Sequence, residues 1–103
     1  MESLDSLLRV AIVEKRLVSF TLHGCARVGE PHDYGMIKGV ATLFFYQTGG
    51  ASNSGRPIGW RNAVVGDITA LRVLDQHFAG TRPAPTGRHK KWDQLYASVS
   101  KRE

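Results

Sequence analysis

The sequence contains a single cysteine, Cys25, and no apolar run long enough to cross a bilayer. One cysteine cannot form an internal disulfide, which excludes the disulfide-stapled secreted domains. The longest apolar run, VATLFFY at residues 40–46, has the length of a strand rather than the roughly 20 residues of a membrane helix. The N-terminus places acids ahead of its apolar residues and lacks the basic region of a secretory signal. These absences predict a cytoplasmic protein without a membrane segment.

The basic residues concentrate at the C-terminal end of the chain. The net charge is +5, and residues 81–103 hold six basic residues against two acidic ones. Arg88, Lys90 and Lys91 lie beside Trp92, an arrangement that fits contact with the phosphates of a nucleic acid. The same run fits a solvated linker whose tryptophan packs on the domain. The sequence leaves both interpretations open.

The length of 103 residues allows one domain with a modest core. Residues 1–80 carry a helix followed by strands, and residues 81–103 carry a Pro-rich basic linker and a short helix that packs on the same domain. The first helix is predicted from the helical spacing of apolar residues between positions 4 and 12, with Ser3 as its N-cap. The C-terminal helix is predicted from four residues at helical spacing: Trp92, Leu95, Tyr96 and Val99.

Five segments between the helices alternate apolar and polar residues or are rich in β-branched and aromatic residues. Turns separate them at roughly ten-residue spacing, which favours a small closed barrel of about five strands behind the first helix. Pro31 is predicted to end the second strand and to begin a loop at residues 33–35. The fold class is therefore mainly β with flanking helices. The predicted strands cover residues 17–24, 25–31, 39–48, 58–65 and 68–75.

The same patterns predict the core. Trp60 is placed in it because strand alternation puts Trp60 and Arg61 on opposite faces, and Arg61 is assigned to the ligand side. The other predicted core residues lie on the apolar sides of the first helix and of the strands. They are Leu8, Ile12, Val18, Phe20, Leu22, Leu43, Phe45, Ile68, Leu71 and Val73.

The stretch HGCARVGEPHDYG at residues 23–35 collects side chains that could bind a metal or catalyse a reaction. A structural zinc site usually presents closely spaced pairs of cysteines or histidines and four ligands. Here one thiol is available and a proline separates it from His32, so we expect no bound metal. The lone cysteine carries no nucleophile signature, and the glycine run at 49–55 lacks the Lys-Ser/Thr of a phosphate loop. We expect a protein that is not an enzyme and holds no cofactor.

Two arginines on predicted strands, Arg27 and Arg61, are the main binding candidates. Guanidinium forks bind phosphate or carboxylate bidentately, so two of them approaching from different strands would form a pocket for an anion. We expect His32 to line the same mouth and Tyr34 to offer a face on which a base can stack.

The order of these motifs resembles the WYL domain of bacterial transcriptional regulators over about residues 7–78. The Trp-Tyr-Leu triplet of that family is absent, and Ala63 and Asp67 stand where the pattern has an aromatic residue and an arginine. The matching segments are AIVEKR at 11–16, VSFTLHG at 18–24, RVGEP at 27–31, VATLFFY at 40–46, RNAVVGDI at 61–68 and ALRVLDQHF at 70–78.

The resemblance implies an Sm-like β-barrel that senses ligands, often nucleic-acid fragments, and passes the signal to a DNA-binding domain. The leading hypothesis is therefore a non-catalytic ligand-binding or regulatory module. Its ligand would be anionic, such as single-stranded nucleic acid or a phosphorylated small molecule. The alternative is a protein-interaction or oligomerisation scaffold without a small ligand. It would use an exposed strand edge and the C-terminal helix, with a partner protein or in a homo-oligomer.

Overall fold

The computed structural model describes residues 3–50, 58–80 and 92–99. In these ranges one helix is followed by six strands, and a short 3₁₀ turn at Val65–Asp67 separates the fourth strand from the fifth. The elements are α1 (Leu4–Val13), β1 (Arg16–Leu22), β2 (Cys25–Ile37), β3 (Val40–Gly50), β4 (Gly59–Val64), β5 (Ile68–His77) and β6 (Gln94–Ser98).

Helix α1 forms where the apolar spacing predicts it. The Ser3 side chain accepts a hydrogen bond from the backbone N–H of Ser6 at 3.1 Å. Asp5 lies in the first turn, where its negative charge interacts favourably with the positive end of the helix dipole. With ten residues, α1 is too short to span a bilayer, and the described ranges hold no other helix that could. Its buried face consists of Leu8, Ala11 and Ile12.

All six strands belong to one antiparallel sheet with the order β4-β3-β2-β1-β5, and β6 pairs with β2. Strand β2 pairs with β3 along one edge, and on the other edge with β1 at residues 25–29 and with β6 at residues 33–36. Strands β4 and β5 are the two ends of this path, and no pairing between them closes the sheet within the described ranges. The mainly β fold class is confirmed, whereas closure into a barrel stays a prediction.

Strand β2 runs through Pro31, so the predicted loop at residues 33–35 is wrong. The register with β3 shifts between Pro31 and Asp33, which leaves His32 as an extra residue in β2. The pairing with β1 ends at Gly29 and the pairing with β6 begins at Asp33. Proline removes a backbone donor, but Pro31 lies in the gap between the β1 and β6 pairings and next to the register shift with β3, so the strand tolerates it.

The predicted C-terminal helix is also wrong, because residues 94–98 form strand β6. Backbone bonds of 2.8 Å flank this strand, one from the Asp93 N–H to the Met36 carbonyl and one from the Val99 N–H to the His32 carbonyl. Without β6, the edge of β2 beyond its pairing with β1 would present unpaired donors and acceptors. This free strand edge outweighs the helical spacing of the apolar residues in the segment.

The core lies between α1 and one face of the sheet. Eight of the ten residues predicted for it from strand and helix spacing are buried, which confirms those positions. The other two, Leu71 and Val73, are partly buried and pack against it. Phe20 and Phe45 meet edge to face with their ring centroids 5.1 Å apart and an interplanar angle of 81°.

Candidate anion-binding site

Arg27 and Arg61 lie on the same face of the sheet, on the two strands that flank β3. Arg61 lies opposite Phe45 in the β3–β4 ladder, so its side chain leaves the sheet on the Phe45 face. Gln47 follows Phe45 by two residues and shares that face. In the β2–β3 ladder Gln47 lies opposite Gly29, which follows Arg27 by two residues. Arg27, Gln47 and Arg61 thus form a row across three neighbouring strands, which we call the arginine row.

Hydrogen bonds join the first two members of the arginine row. Arg27 donates from Nη1 to Gln47 Oε1 at 3.3 Å and from Nη2 to the Leu22 carbonyl at 3.5 Å. The Gln47 amide donates in turn to the Gly49 carbonyl at 3.0 Å. Arg27 is 5% exposed and Gln47 is fully buried, whereas Arg61 is half-buried. Gln47 therefore orients the Arg27 guanidinium, while Arg61 is the member that solvent reaches most easily.

Trp60 lies on the opposite face from Arg61, as strand alternation predicts, but it is half-buried and outside the main core. Its ring stacks on Phe44 with centroids 4.6 Å apart and an interplanar angle of 8°. It also meets Tyr46 and His32 edge to face, at centroid distances of 5.5 and 4.8 Å. Trp60 therefore belongs to a second, aromatic cluster.

His32 packs into this aromatic cluster and does not line a mouth with the arginines. The His32 side chain is fully buried, and its ring stacks on Phe78 with centroids 5.5 Å apart. Its Nδ1 lies 2.8 Å from the Glu30 carbonyl oxygen. His32 is the extra residue at the β2 register shift, and these contacts give it a packing role there.

Tyr34 anchors helix α1 and strand β6 to β2 and does not join the arginine row. It lies seven residues from Arg27 along β2, or about 20 Å. Its hydroxyl donates to Asp5 Oδ1 at 2.7 Å. Arg9 Nε donates to both Asp5 carboxylate oxygens, at 3.0 and 3.1 Å, and Arg9 Nη1 donates to the Tyr96 carbonyl at 3.3 Å. The guanidinium lies 5.8 Å from the Tyr34 ring centroid and 5.1 Å from that of Tyr96. We call these four residues the α1–β6 clamp.

The α1–β6 clamp shifts the proton affinities of two of its members. Burial, with the hydrogen bond to Asp5 as the second cause, raises the pKa of Tyr34 to about 12. Because the unfolded value is 10.0, the stability that Tyr34 contributes is complete below pH 10 and is lost as the pH rises towards 12. The Tyr34 hydroxyl and then Arg9 lower the pKa of Asp5 below 3.8. The stability that Asp5 contributes is therefore present above pH 3.8 and is lost as the pH falls through the folded pKa.

We expect Tyr34→Phe to remove part of the loss of stability at alkaline pH. Wild type should lose about 1–2 kcal/mol more of its free energy of unfolding than Tyr34→Phe as the pH rises from 10 to 12, because phenylalanine has no proton to release. Urea denaturation followed by circular dichroism at a series of pH values measures this difference. Tyr96→Phe is the matched control, since Tyr96 enters the clamp through its carbonyl and ring. Equal alkaline losses in wild type and Tyr34→Phe would contradict the clamp.

The potential metal ligands of residues 23–35 are dispersed in the structure. His23 is exposed in the turn between β1 and β2, with Nε2 3.9 Å from an Asp67 carboxylate oxygen. Cys25 is half-buried at the start of β2, and His32 is buried further along the strand. Residues 3–50, 58–80 and 92–99 hold no group of three or more His, Cys, Asp or Glu that could bind a metal ion. For the whole chain, the absence of a metal stays a prediction.

The sequence patterns did not predict a role for two residues near the candidate sites, Gln47 and Arg72. For Gln47 the pattern contains a clue: alternation from Leu43 through Phe45 places it on the core face, where a polar side chain needs a hydrogen-bond partner. Arg72 lies among the apolar residues of β5 and had no comparable signal. The predicted nucleic-acid contacts of the basic tail lie outside the described residues and stay predictions: Arg88, Lys90 and Lys91.

No model of a known protein family matches the chain, and searches of curated proteins and of solved structures find no match either. The arginine row itself is therefore the guide to function. Two guanidiniums and an amide on one face of a sheet are a donor set suited to an anion.

Proposed function

We propose that the protein is a non-catalytic binding module that holds a phosphate-bearing ligand at the arginine row. The observation that carries the proposal is that Arg27 and Arg61 flank β3 on one face with Gln47 between them. Arg61 and Gln47 are diagonal neighbours, whose Cβ atoms in such a ladder lie about 7–8 Å apart, within reach of long side chains. One anion bound beside Gln47 would therefore contact both guanidiniums.

The chemistry of the arginine row suits binding rather than catalysis. A guanidinium presents a fork of N–H donors that matches two oxygens of a phosphate, and it keeps its charge at every physiological pH. Neither a guanidinium nor an amide serves as a nucleophile or a general base at neutral pH. The proposal accordingly contains no covalent step and requires no cofactor.

Burial gives the two arginines different roles. Arg27 is almost removed from water and is oriented by Gln47 and the Leu22 carbonyl, so it loses little conformational freedom on binding. Its attraction for an anion is also stronger than it would be in water. Arg61 is half-buried and would meet the ligand first. The expected bound state has Arg27 as a fixed donor and Arg61 closing from the solvent side.

The resemblance to WYL domains supports a regulatory role for the same site. Arg27 and Arg61 belong to two of the segments on which that resemblance rests, RVGEP and RNAVVGDI. In such proteins an Sm-like barrel senses ligands for a DNA-binding domain. We extend the proposal accordingly: the sheet is the wall of such a barrel, and the ligand is single-stranded nucleic acid or a phosphorylated small molecule.

Replacing Arg61 with glutamine tests the proposal. Fluorescence anisotropy at two salt concentrations would measure binding of a labelled single-stranded oligonucleotide and of a labelled nucleoside triphosphate. We expect wild type to bind one of the two and Arg61→Gln to bind it about tenfold more weakly, as the loss of one charge-assisted hydrogen bond implies. Lys38→Gln is the matched control, since it removes one positive charge from the exposed turn after β2. It should change the affinity by no more than about twofold.

A second variant separates the arginine row from the basic tail. Glutamine at positions 88, 90 and 91 removes three tail charges and leaves the row intact. Binding that survives in this variant and weakens in Arg61→Gln supports the row. Binding that disappears in the tail variant and persists in Arg61→Gln would contradict the proposal. Thermal unfolding of each variant shows whether the fold is retained.

The interaction scaffold remains a second candidate because β4 ends the sheet, and exposed apolar side chains lie at its last residue and immediately before its first. Ile58 is 53% exposed and Val64 is 44% exposed. A groove of about 350 Å³ lies beside this strand, between Val40 and Val64. The absence of binding to either probe, together with a molar mass that rises with concentration in light scattering, would favour this candidate over the anion site.

A further inference from the structure

A shallow cavity of about 350 Å³ opens between β1, β2 and β5 on the face of the sheet that points away from the core. Its residues on β1 and β2 alternate with the buried Phe20 and Arg27, whose side chains leave the strands on the opposite face. Phe20 and Arg27 therefore line the cavity with their backbone atoms. The side chains around the cavity are those of Ser19, Thr21, Ala26, Val28, Ala70 and Arg72.

The strand register sorts these side chains into a polar side and an apolar side. Arg72 lies directly opposite Ser19 on β1, and Ser19 lies opposite Val28 on β2. Two residues further along β1, Thr21 lies opposite Ala26. Directly opposed residues have Cβ atoms about 4.5–5.5 Å apart. The Arg72 guanidinium and the two hydroxyls therefore lie within reach of one ligand group, and the wall beyond them is aliphatic.

A strained bulge holds Arg72 in this position. The β1–β5 register shifts between Ser19 and Thr21, which pair with Arg72 and Thr69. The three-residue interval from Thr69 to Arg72 on β5 thus pairs with a two-residue interval on β1. The extra residue in β5 lets both Thr69 and Arg72 lie on the cavity face. Within the bulge Ala70 has a φ of 54°, in the left-handed region that costs a residue with a Cβ about 1–2 kcal/mol. Bulges and strained residues recur beside functional sites, where they redirect a side chain.

We propose that this cavity binds a small organic monocarboxylate. Arg72 holds the carboxylate through its two-pronged donor set, Ser19 and Thr21 donate hydroxyl hydrogen bonds, and an aliphatic body lies against Ala26 and Val28. One guanidinium balances one negative charge, whereas a phosphate monoester carries about two at pH 7. The site is separate from the arginine row, because the Arg27 side chain leaves β2 on the other face.

Titration of the ¹⁵N-labelled full chain with butyrate tests this site. We expect butyrate to shift the amide resonances of Ser19, Thr21 and Arg72, and Arg72→Gln to weaken binding about tenfold through the loss of a charge-assisted hydrogen bond. Ala26→Leu keeps the charge and fills the aliphatic side of the cavity, so it should abolish the shifts. Both variants alter outward-facing positions, and thermal unfolding would check that each is folded.

Three controls make the outcome specific. Butyramide has the shape of butyrate without its charge, and equal shifts with it would overturn the role of Arg72. Inorganic phosphate binding as tightly as butyrate would overturn the role of the aliphatic wall. Arg61→Gln should leave the butyrate response unchanged, so failure at this cavity is distinguishable from failure at the arginine row. Shifts that persist in both Arg72→Gln and Ala26→Leu, or no localised shifts in wild type, would overturn the proposal.

Discussion

Replacement of Phe45 by alanine should lower the free energy of unfolding by about 3–5 kcal/mol, the usual cost of removing a buried aromatic ring. Phe45 is 0% exposed at the centre of β3 and meets the edge of Phe20. Its ring also lies directly on Gly29, where a Cβ would come within 2.8 Å of the ring carbon Cδ2. Phe20 and the Gly29 backbone pack closely against the ring and cannot move far enough to fill the space left by alanine. The free-energy cost of the cavity therefore adds to that of the lost apolar burial.

Urea denaturation of Phe45→Ala and Phe20→Ala beside wild type would measure this effect. Val64→Ala is the control, because it shortens an apolar side chain that is 44% exposed on a neighbouring strand. Its expected cost is within about 0.5 kcal/mol. If the free energies of unfolding of Phe45→Ala and Phe20→Ala both lie within about 1 kcal/mol of wild type, the register of β1 against β2 and of β2 against β3 is contradicted.

The helix and most of the strands could be predicted because their signals are local. Ser3, Asp5 and the apolar face of α1 lie within a few turns of the chain, and β1 alternates strictly between Val18 and Leu22. Capping, helical spacing and alternation are properties of neighbouring residues, so one sequence is enough to reveal them. The buried positions followed from the same patterns.

The two errors of secondary structure have a common cause in long-range pairing. Pro31 is a local stop signal, yet β2 continues because Pro31 lies in the gap between the pairing with β1 and the pairing with β6. The segment at 92–99 has helical spacing, yet it forms a strand because the second half of β2 offers an unpaired edge. Which edges remain free depends on the whole topology, and no window of the sequence contains that information.

The candidate sites show the same division between local and long-range information. Alternation correctly separated Trp60 from Arg61, because it needs only the two neighbouring positions. The assignment of faces was wrong, because Arg61 shares the core face with Phe45 and Trp60 lies outside the core cluster. That Arg27 and Arg61 share a face depends on the registers of β3 with both its neighbours, which the sequence does not reveal. The Arg72 cavity depends further on a bulge at Ala70, a non-glycine residue that carries no sequence signal for a positive φ.

The pairing of β6 with β2 leads to the second prediction with a large effect: Gly35→Ala should separate β6 from β2. Gly35 lies opposite Leu95, and a Cβ at Gly35 would contact the Gln94 carbonyl oxygen and lie 2.9 Å from the Leu95 Cα. Trp92 would lie 3.0 Å away through its ring carbon Cε3. Two of these neighbours are backbone atoms, which cannot rotate aside as a side chain does. We therefore expect β6 to separate from β2 at a cost of about 2–3 kcal/mol.

Amide hydrogen exchange would detect this separation directly. The N–H groups of Asp93 and Val99 bond across to β2 at the two ends of β6, so both should lose protection in Gly35→Ala while the amides of β1 keep theirs. Gly66→Ala is the matched control, since a Cβ at Gly66 meets nothing within 4 Å. Unchanged protection of both amides in Gly35→Ala would contradict the pairing of β6 with β2.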